Sequence, residues 1–446
     1  MGTRRSLFPA SRIHRIIKQP VKAGRCTVAG NIANGMKLRT SVPEPHRTFK
    51  LIFVPLLIFS LFAQCAVVWT QLENIRDGYF DFALYYGGAK IINDGSGAQL
   101  YNLEVQDKYQ KEFRVAYHGR ALPFNHPPYE LLALLIPAKF SFSVAHVLWA
   151  AMNTLMLAVI LFRLFPLIDS KYRVLFALML FAYFPTITAL KMGQDSIITT
   201  LLLTETFVSL KQKRYATAGG LLALGLYKPQ FVLPLVGIFI LQLRWRLIFG
   251  FLLTSTVLGV ISLAMVGWDG LIGLLSLWLP MIQRGNVVWP ELMINLRGLV
   301  YMLLDLGGQT QATNALTLGL SIIAYAIILR LWPRCADEQS DLFDLLFALA
   351  VVTTALVSFH SYSYDGTLLI IPLTIMLNRI LKESAPYPPR RRVFLAILIA
   401  WFVPMLPNVL LSGAVLAWWA LPLPMLFCAI AMEIRRSAST SPAVRT

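Results

Sequence analysis

The run LIFVPLLIFSLFAQCAVVWT, Leu51 to Thr70, carries no charged side chain over twenty residues. As a helix rising about 1.5 Å per residue, it is long enough to cross a hydrocarbon core of roughly 30 Å. Further apolar runs follow along the whole chain. The 446 residues are 57% hydrophobic and 14% charged, with a mean hydropathy of +0.63, which excludes an ordinary soluble domain. Backbone groups in lipid must be paired internally, and these runs are continuous rather than alternating, so they read as helices and not barrel strands.

The net charge of +18 is explained by where the cations lie, without nucleic acid as a partner. Residues 1–49 form a basic tail of cytoplasmic character. Counted through Lys50, eleven Lys or Arg face the single acid Glu44. Its Gly, Pro and polar content predicts disorder, with at most a basic amphipathic turn at Ile13–Ile17. Basic clusters then mark successive cytoplasmic turns: Arg163 with Lys171 and Arg173, Lys211 with Lys213 and Arg214, Arg244 with Arg246, Arg330 with Arg334, Arg379 through Arg392, and Arg435 with Arg436. Placing these inside gives spans near 50–70, 143–163, 173–190, 195–211, 215–227, 229–243, 246–266, 313–330, 342–357, 366–381, 393–411 and 414–433. The expected fold is therefore all-α and polytopic, with about 12 spans in a domain over 50–434, a cytoplasmic tail at 435–446, and both termini in the cytoplasm.

Two stretches, Pro127–Pro137 and Leu296–Leu304, are apolar but too short to cross. They are expected to be re-entrant or broken helices lining an exported-side cavity, the setting in which irregular backbone is tolerated at membrane depth. Two exported loops, 71–128 and 267–297, should concentrate function. In the first, apolar positions at Phe80, Leu84, Gly87/Gly88 and Ile91 have helical spacing and end at Asp94-Gly95, predicting an amphipathic helix along the membrane surface. Asp81 falls in its first turn, where the helix dipole favours a carboxylate. Such a group can deprotonate a hydroxyl, or can be a helix-terminal acid without chemistry.

Cations on the exported side run against the positive-inside bias. Lys228, in Leu-Tyr-Lys-Pro-Gln, precedes a helix-breaking proline and suits an anion such as a lipid phosphate. Lys191 and Arg284 admit the same reading or a snorkelling one; Arg297 is a further phosphate candidate. Ser358–Asp365 gathers His360, Asp365, hydroxyls and aromatic rings in one turn, suited to sugar recognition or acid/base help, or serving only as a polar helix connection. The cysteines Cys26, Cys65, Cys335 and Cys428 lie in spans or cytoplasmic segments, so no disulfide framework is expected, and no metal-ligand spacing occurs. No nucleotide-cradling glycine motif and no H-E-x-x-H is present, so a sugar donor is expected to arrive in the membrane.

These motifs, in order, resemble bacterial multispan enzymes of glycosyltransferase family 87 in the GT-C superfamily. The resemblance rests on Asp81-Phe-Ala-Leu-Tyr85-Tyr86-Gly-Gly-Ala89 with Asp94-Gly95 and Leu100-Tyr101, then Phe124-Asn-His126-Pro-Pro128 with Pro137, Gly193-Gln194-Asp195, Tyr227-Lys228-Pro229 and Ser363-Tyr364-Asp365. The Asp of Gly193-Gln194-Asp195 and the long basic tail depart from the family pattern. The resemblance implies a polyprenyl-phosphate sugar donor, a mannosyl unit foremost, and inverting transfer to a glycan or glycolipid acceptor on the exported face of the bacterial inner membrane. It makes Asp81 the base, and Tyr85, Tyr86, His126, Gln194, Lys228, Arg297, His360 and Asp365 substrate-binding residues. No metal or other cofactor is expected, because the lipid phosphate departs as an anion, and membrane lipids are the surrounding partners. A lipid-linked sugar flippase or transporter is the competing reading, and an envelope-assembly subunit a third.

Overall fold

The computed structural model describes residues 45–114, 122–284, 289–304, 310–332, 336–382, 387–405 and 419–440. The expectations for the basic tail, for Cys26 and Cys335, and for parts of the last two spans lie outside these residues. The described residues are helical throughout, without strands. Cys65 and Cys428 are free thiols.

The chain enters through α1 (Pro45–Thr70) and α2 (Leu72–Arg76), and the first loop follows with α3 (Phe82–Asn93) and α4 (Leu103–Lys111). Short 3-10 turns at Pro128–Leu134 and Pro137–Lys139 lead to α5 (Phe142–Leu164). Then come α6 (Arg173–Phe181), α7 (Phe184–Met192), α8 (Ser196–Lys211), α9 (Tyr215–Leu224), α10 (Pro229–Leu241) and the long α11 (Trp245–Arg284). The rest is α12 (Leu296–Leu304), α13 (Thr310–Leu331), α14 (Asp341–Val357), a 3-10 turn at Ser363–Leu369, α15 (Ile370–Lys382), α16 (Tyr387–Phe402) and α17 (Pro422–Thr440).

Each expected span contains helix, but among the described residues length and apolar composition qualify four to cross a membrane: Phe142–Leu167, Trp245–Leu279, Gln311–Leu331 and Ser363–Leu381. The pair α6 and α7, bent by 46°, adds a fifth if it crosses as one broken span. Val54–Thr70, Tyr215–Tyr227, Pro229–Leu241 and Val393–Phe402 are shorter apolar helices. The fold is that of a membrane protein; a count of twelve crossings does not follow from it.

The α6–α7 break has a local cause. Pro185 in the first turn of α7 cannot continue the ladder, and the carbonyl of Ala182 is left outside it. Ser60 donates to that carbonyl at 3.1 Å, and Gln64 donates to it as well, so polar side chains of α1 satisfy the backbone where the helix is broken.

Two cores result. The larger is centred on α14, buried without interruption from Phe343 to Leu356, so an apolar run becomes the axis of the bundle rather than a lipid-facing wall. The smaller is built by the first loop: Phe82, Tyr85, Tyr86, Phe124 and Leu131 pack against Phe142 and Trp149 of α5 and Val266 of α11. Here two sequence expectations change. Helix α3 exists where expected, but it does not lie along a surface; its residues from Phe82 to Ala89 are buried except for a half-buried Leu84, because the rest of the loop folds over it. The segment 267–297 is not a loop throughout. Helix α11 breaks at Gly267 (φ 67°, ψ −176°) and continues to Arg284, with Trp268, Ile272, Leu275 and Leu279 exposed at helical spacing. Its other face carries the buried Leu274 and covers the smaller core, and Trp278 Nε1 donates to the Asn125 carbonyl at 2.7 Å.

Candidate functional site

The site lies where the smaller core meets the ends of α7, α8 and α10. Its anchor is Gly193-Gln194-Asp195, the turn between α7 and α8, in which each residue does something different. Gly193 has φ +67°, and a Cβ there would stand 2.5 Å from Cβ of Phe82, so only glycine lets this turn press against the start of α3. Its carbonyl accepts from Trp149 Nε1 at 2.8 Å. Gln194 Nε2 donates to Asp81 Oδ2 at 2.6 Å, while its Oε1 accepts from the Tyr85 hydroxyl at 3.3 Å. Asp195 turns the other way, with Oδ1 2.7 Å from Lys228 Nζ.

Lys228 is the hub of a buried charge network. Besides Asp195, its ammonium bonds Asp365 Oδ1 at 2.8 Å and Ser196 Oγ at 2.7 Å, and it sits 5.3 Å from the centroid of the Tyr364 ring. Pro229 starts α10 immediately after it, fixing Lys228 in the extended turn that projects its side chain inward. Asp365 is equally occupied: Ser196 Oγ donates to the same oxygen at 2.7 Å, and the Tyr362 N–H donates to Oδ2 at 3.0 Å. Taking such charges out of water is tolerated only with pairing of this kind. The structure thus spends the Lys228 charge on two carboxylates, in place of the solitary anion-binding lysine that its sequence position suggested.

His126 faces the same network. Its Nδ1 lies 2.7 Å from Glu130 Oε2 and 3.9 Å from Asp195 Oδ2, and its ring stands edge-on to Tyr85 at 5.7 Å. Burial pushes the imidazole down to about 4, so it is neutral at ordinary pH. His126, Glu130 and Asp195 offer a nitrogen and two carboxylate oxygens within 4.8 Å of one another, ligand types that suit a divalent cation. As they stand, the Glu130 contact is a hydrogen bond and Lys228 already charges the Asp195 carboxylate, so the trio reads as part of the network.

Asp81 differs from these acids. It is the residue before α3 but does not cap the helix. One carboxylate oxygen is held by Gln194; among the described residues no donor reaches Oδ1 and no cation pairs with it, and the side chain remains partly open. Burial raises its pKa from the ordinary aspartate value of 3.8, overcoming the Gln194 hydrogen bond and the more distant charge of Lys228, both of which lower it. The result is a carboxylate with one oriented oxygen, one available oxygen and increased basicity.

The other expected residues divide. Tyr85 joins the site through Gln194, whereas Tyr86 turns its hydroxyl to the Phe140 carbonyl at 2.8 Å and packs on Phe113 and Phe142. His360 stands edge-on to Tyr362 at 4.5 Å, and Tyr362 reaches Tyr364 at 5.8 Å, linking the Ser358 turn to Lys228. Burial lowers the His360 pKa, Lys228 and Arg297 push the same way, and Asp365 opposes them. Arg297 is brought to this turn because Asn295 Nδ2 donates to the Ser358 carbonyl at 2.7 Å and the Ile294 N–H donates to the Ser361 carbonyl at 3.0 Å. Lys191, at the end of α7, lies 5.1 Å from the centroid of the Phe80 ring beside Asp81, and among the described residues no carboxylate pairs with it. Arg284 is in the last turn of α11, and its side chain lies outside the description.

Sequence reasoning missed Glu130, Arg114 and Trp149. Glu130 was hidden in the apolar stretch Pro127–Pro137, although a lone acid four residues after His126 is a helical-spacing signal. Arg114 Nε donates to the Gly78 carbonyl at 2.9 Å and its Nη1 to Gln110 at 3.0 Å, fastening the segment that leads to Asp81; nothing in the sequence marks it out from other loop arginines.

Helical breaks, short segments and paired charges around a partly open carboxylate define the class: a helical membrane protein with a cluster of buried polar side chains. A sequence model of glycosyltransferase family 87 matches residues 124–359, more than half of the chain, and the chain belongs to that family. It is accordingly a glycosyltransferase. The match includes His126, Gln194, Asp195, Lys228 and Arg297; Asp81, His360 and Asp365 lie outside it. No curated protein and no solved structure matches the chain.

Proposed function

We propose that this enzyme transfers a sugar, mannose foremost, from a polyprenyl-phosphate donor to a hydroxyl of a glycan or glycolipid acceptor, with inversion at the anomeric carbon. The single observation that carries this reading is the Asp81 carboxylate, oriented by Gln194 on one oxygen and open on the other. In the proposed step the acceptor hydroxyl gives its proton to Asp81 Oδ1 as its oxygen bonds the anomeric carbon. The bond from that carbon to the phosphate oxygen breaks on the opposite face, and the electron pair leaves with the phosphate.

Charge developing on that phosphate calls for cations that are not already neutralised. With Lys228 engaged by Asp195 and Asp365, Lys191, which no carboxylate pairs among the described residues, is the better placed for this role. Lys228 then holds the pocket's shape, and His126, Tyr85 and His360 supply neutral hydrogen-bonding surface for sugar hydroxyls. The chemistry needs neither metal nor nucleotide. The basic turns support a multi-pass orientation in the bacterial inner membrane with both termini cytoplasmic and the Asp81 pocket exported.

The test is transfer from radiolabelled polyprenyl-phosphate sugars in proteoliposomes, comparing wild type with Asp81→Asn. Loss of the glycosidic product with retained folding supports the base. Undiminished transfer by the variant overturns it, and translocation of labelled lipid without product favours a lipid-linked sugar flippase.

A further inference from the structure

The opposite end of the bundle carries a second site. Helix α8 runs 16 residues from Ser196, beside Lys228, to Lys211, so its far end lies roughly 24 Å from the pocket. Two turns of nearly the same sequence meet there: Gln212-Lys213-Arg214-Tyr215 and Gln242-Leu243-Arg244-Trp245. Each passes through a left-handed residue, Lys213 (φ 58°) and Leu243 (φ 59°), and each is locked by the arginine N–H, which donates back to Ser209 at 2.8 Å or Phe239 at 3.0 Å. The turns deliver the starts of α9 and α11 side by side. Ala216 touches Gly250 so closely that a Cβ on the glycine would stand 2.0 Å from the Ala216 carbonyl oxygen.

Between the two helix starts lies a crevice of about 530 Å³ lined by Lys213, Arg214, Arg246, Trp245 and Phe249, with Ala216 and Thr217 among its other lining residues. At this end other cations have acids: Lys211 pairs with Asp344 at 2.5 Å, Arg244 with Glu338 at 2.8 Å, and Arg163 with Glu205. Among the described residues, no carboxylate pairs with Lys213, Arg214 or Arg246, although all three line one crevice and are exposed. Helix α9 also begins at this crevice without a side-chain cap, which adds positive potential.

A soluble anion would need only this. The crevice, however, opens onto an apolar stripe. Phe249, Leu253, Val257 and Val260 are exposed along α11 at spacings of three and four residues, over a length of roughly 16 Å leading away from the cations. Trp245 stands at the junction, where an aromatic ring suits the boundary between headgroup and hydrocarbon.

We propose that this crevice is a binding site for one anionic glycerophospholipid, its phosphate among Lys213, Arg214 and Arg246 and an acyl chain along Phe249 to Val260 of α11. The site is independent of the transfer reaction. The lipid fastens the two turns from which α9 and α11 start, and so holds α9, which leads into the turn before Lys228, and α11, which covers the smaller core.

The full-length protein in mixed nanodiscs of phosphatidylglycerol and phosphatidylcholine tests this by native mass spectrometry. Wild type should retain phosphatidylglycerol selectively. Lys213→Gln/Arg214→Gln/Arg246→Gln should lose that retention by on the order of 10-fold or more, since each cation near a lipid surface contributes substantially. Lys171→Gln, which removes an exposed cation paired with Asp169, should not. Equal retention of both lipids, or an unchanged triple variant, overturns the proposal. Displacement of the lipid by glycerol phosphate at equal concentration also overturns it, by showing that a free phosphate suffices. A photoactivatable phosphatidylglycerol on the wild type needs no variant: labelling should fall between residues 249 and 260, and labelling elsewhere sinks the assignment.

Discussion

The two ends of α8 handle charge in opposite ways. At the Lys211 end, half-exposed bases reach single buried acids, as in Lys211 with Asp344 and Arg244 with Glu338, and among the described residues Lys213, Arg214 and Arg246 have no carboxylate at all. At the Ser196 end, one buried ammonium serves two carboxylates and a hydroxyl, another acid is bonded to a neutral histidine, and among the described residues no cation pairs with Asp81. A half-exposed base leaves water to screen part of its pair, whereas a fully buried network is held together by the cost of leaving any member alone. The first arrangement tolerates change; the second fixes a geometry, and it leaves surplus basicity at the one carboxylate that is not neutralised.

The strongest test of that contrast is Asp81→Asn, expected to lower transfer by roughly 10²–10⁴-fold, the usual worth of a positioned base, with an unchanged thermal midpoint. A loss of stability in step with activity would make Asp81 one more structural acid. Lys228→Met should come next. It strands Asp195 and Asp365 in the interior and should cost about 3–5 kcal/mol in unfolding measurements, part of which returns in Lys228→Met/Asp195→Asn. A Lys228→Met protein as stable as wild type would mean that the network is wet and the two ends do not differ.

Gln194→Ala sharpens the comparison through pH. Asp81 must be ionised to accept a proton, so activity falls as pH drops through its pKa, and burial already places that limb above the ordinary aspartate range. The Gln194 hydrogen bond favours the ionised form, so its removal should move the acid limb further up in pH; a downward shift would contradict the geometry. A smaller effect is expected for Lys211→Met at the other end, because the lysine is half-exposed although its partner Asp344 is buried: its loss of stability should stay below that of Lys228→Met, with transfer unaffected.

Much of this was legible in the sequence, for identifiable reasons. Asp81 stood out because a helical apolar spacing placed an acid at a helix start, and Pro229 marked Lys228 because proline cannot continue a helix. Pro127–Pro137 and Leu296–Leu304 were visible as apolar runs too short to cross, whereas the breaks before α7 and at Gly267 were not. Illegible were the partners: that Gln194 would reach back to Asp81, or that Tyr86 would turn away from its neighbour Tyr85 to the Phe140 carbonyl, depends on segments 54 to 113 residues apart closing on each other. Glu130 was overlooked because its apolar surroundings read as a wall, although they are what buries it.

Composition and periodicity alone determined that this chain is helical and belongs in a membrane, since lipid leaves a backbone with few ways to satisfy its polar groups. They also placed its charged turns at helix ends. Only the tertiary structure decided which charges neutralise each other, because pairing depends on distances of a few ångströms between segments far apart in sequence. It thereby separated Asp81 from Asp195 and Asp365: of these three acids, two pair with Lys228 and the third has only the Gln194 amide on one oxygen.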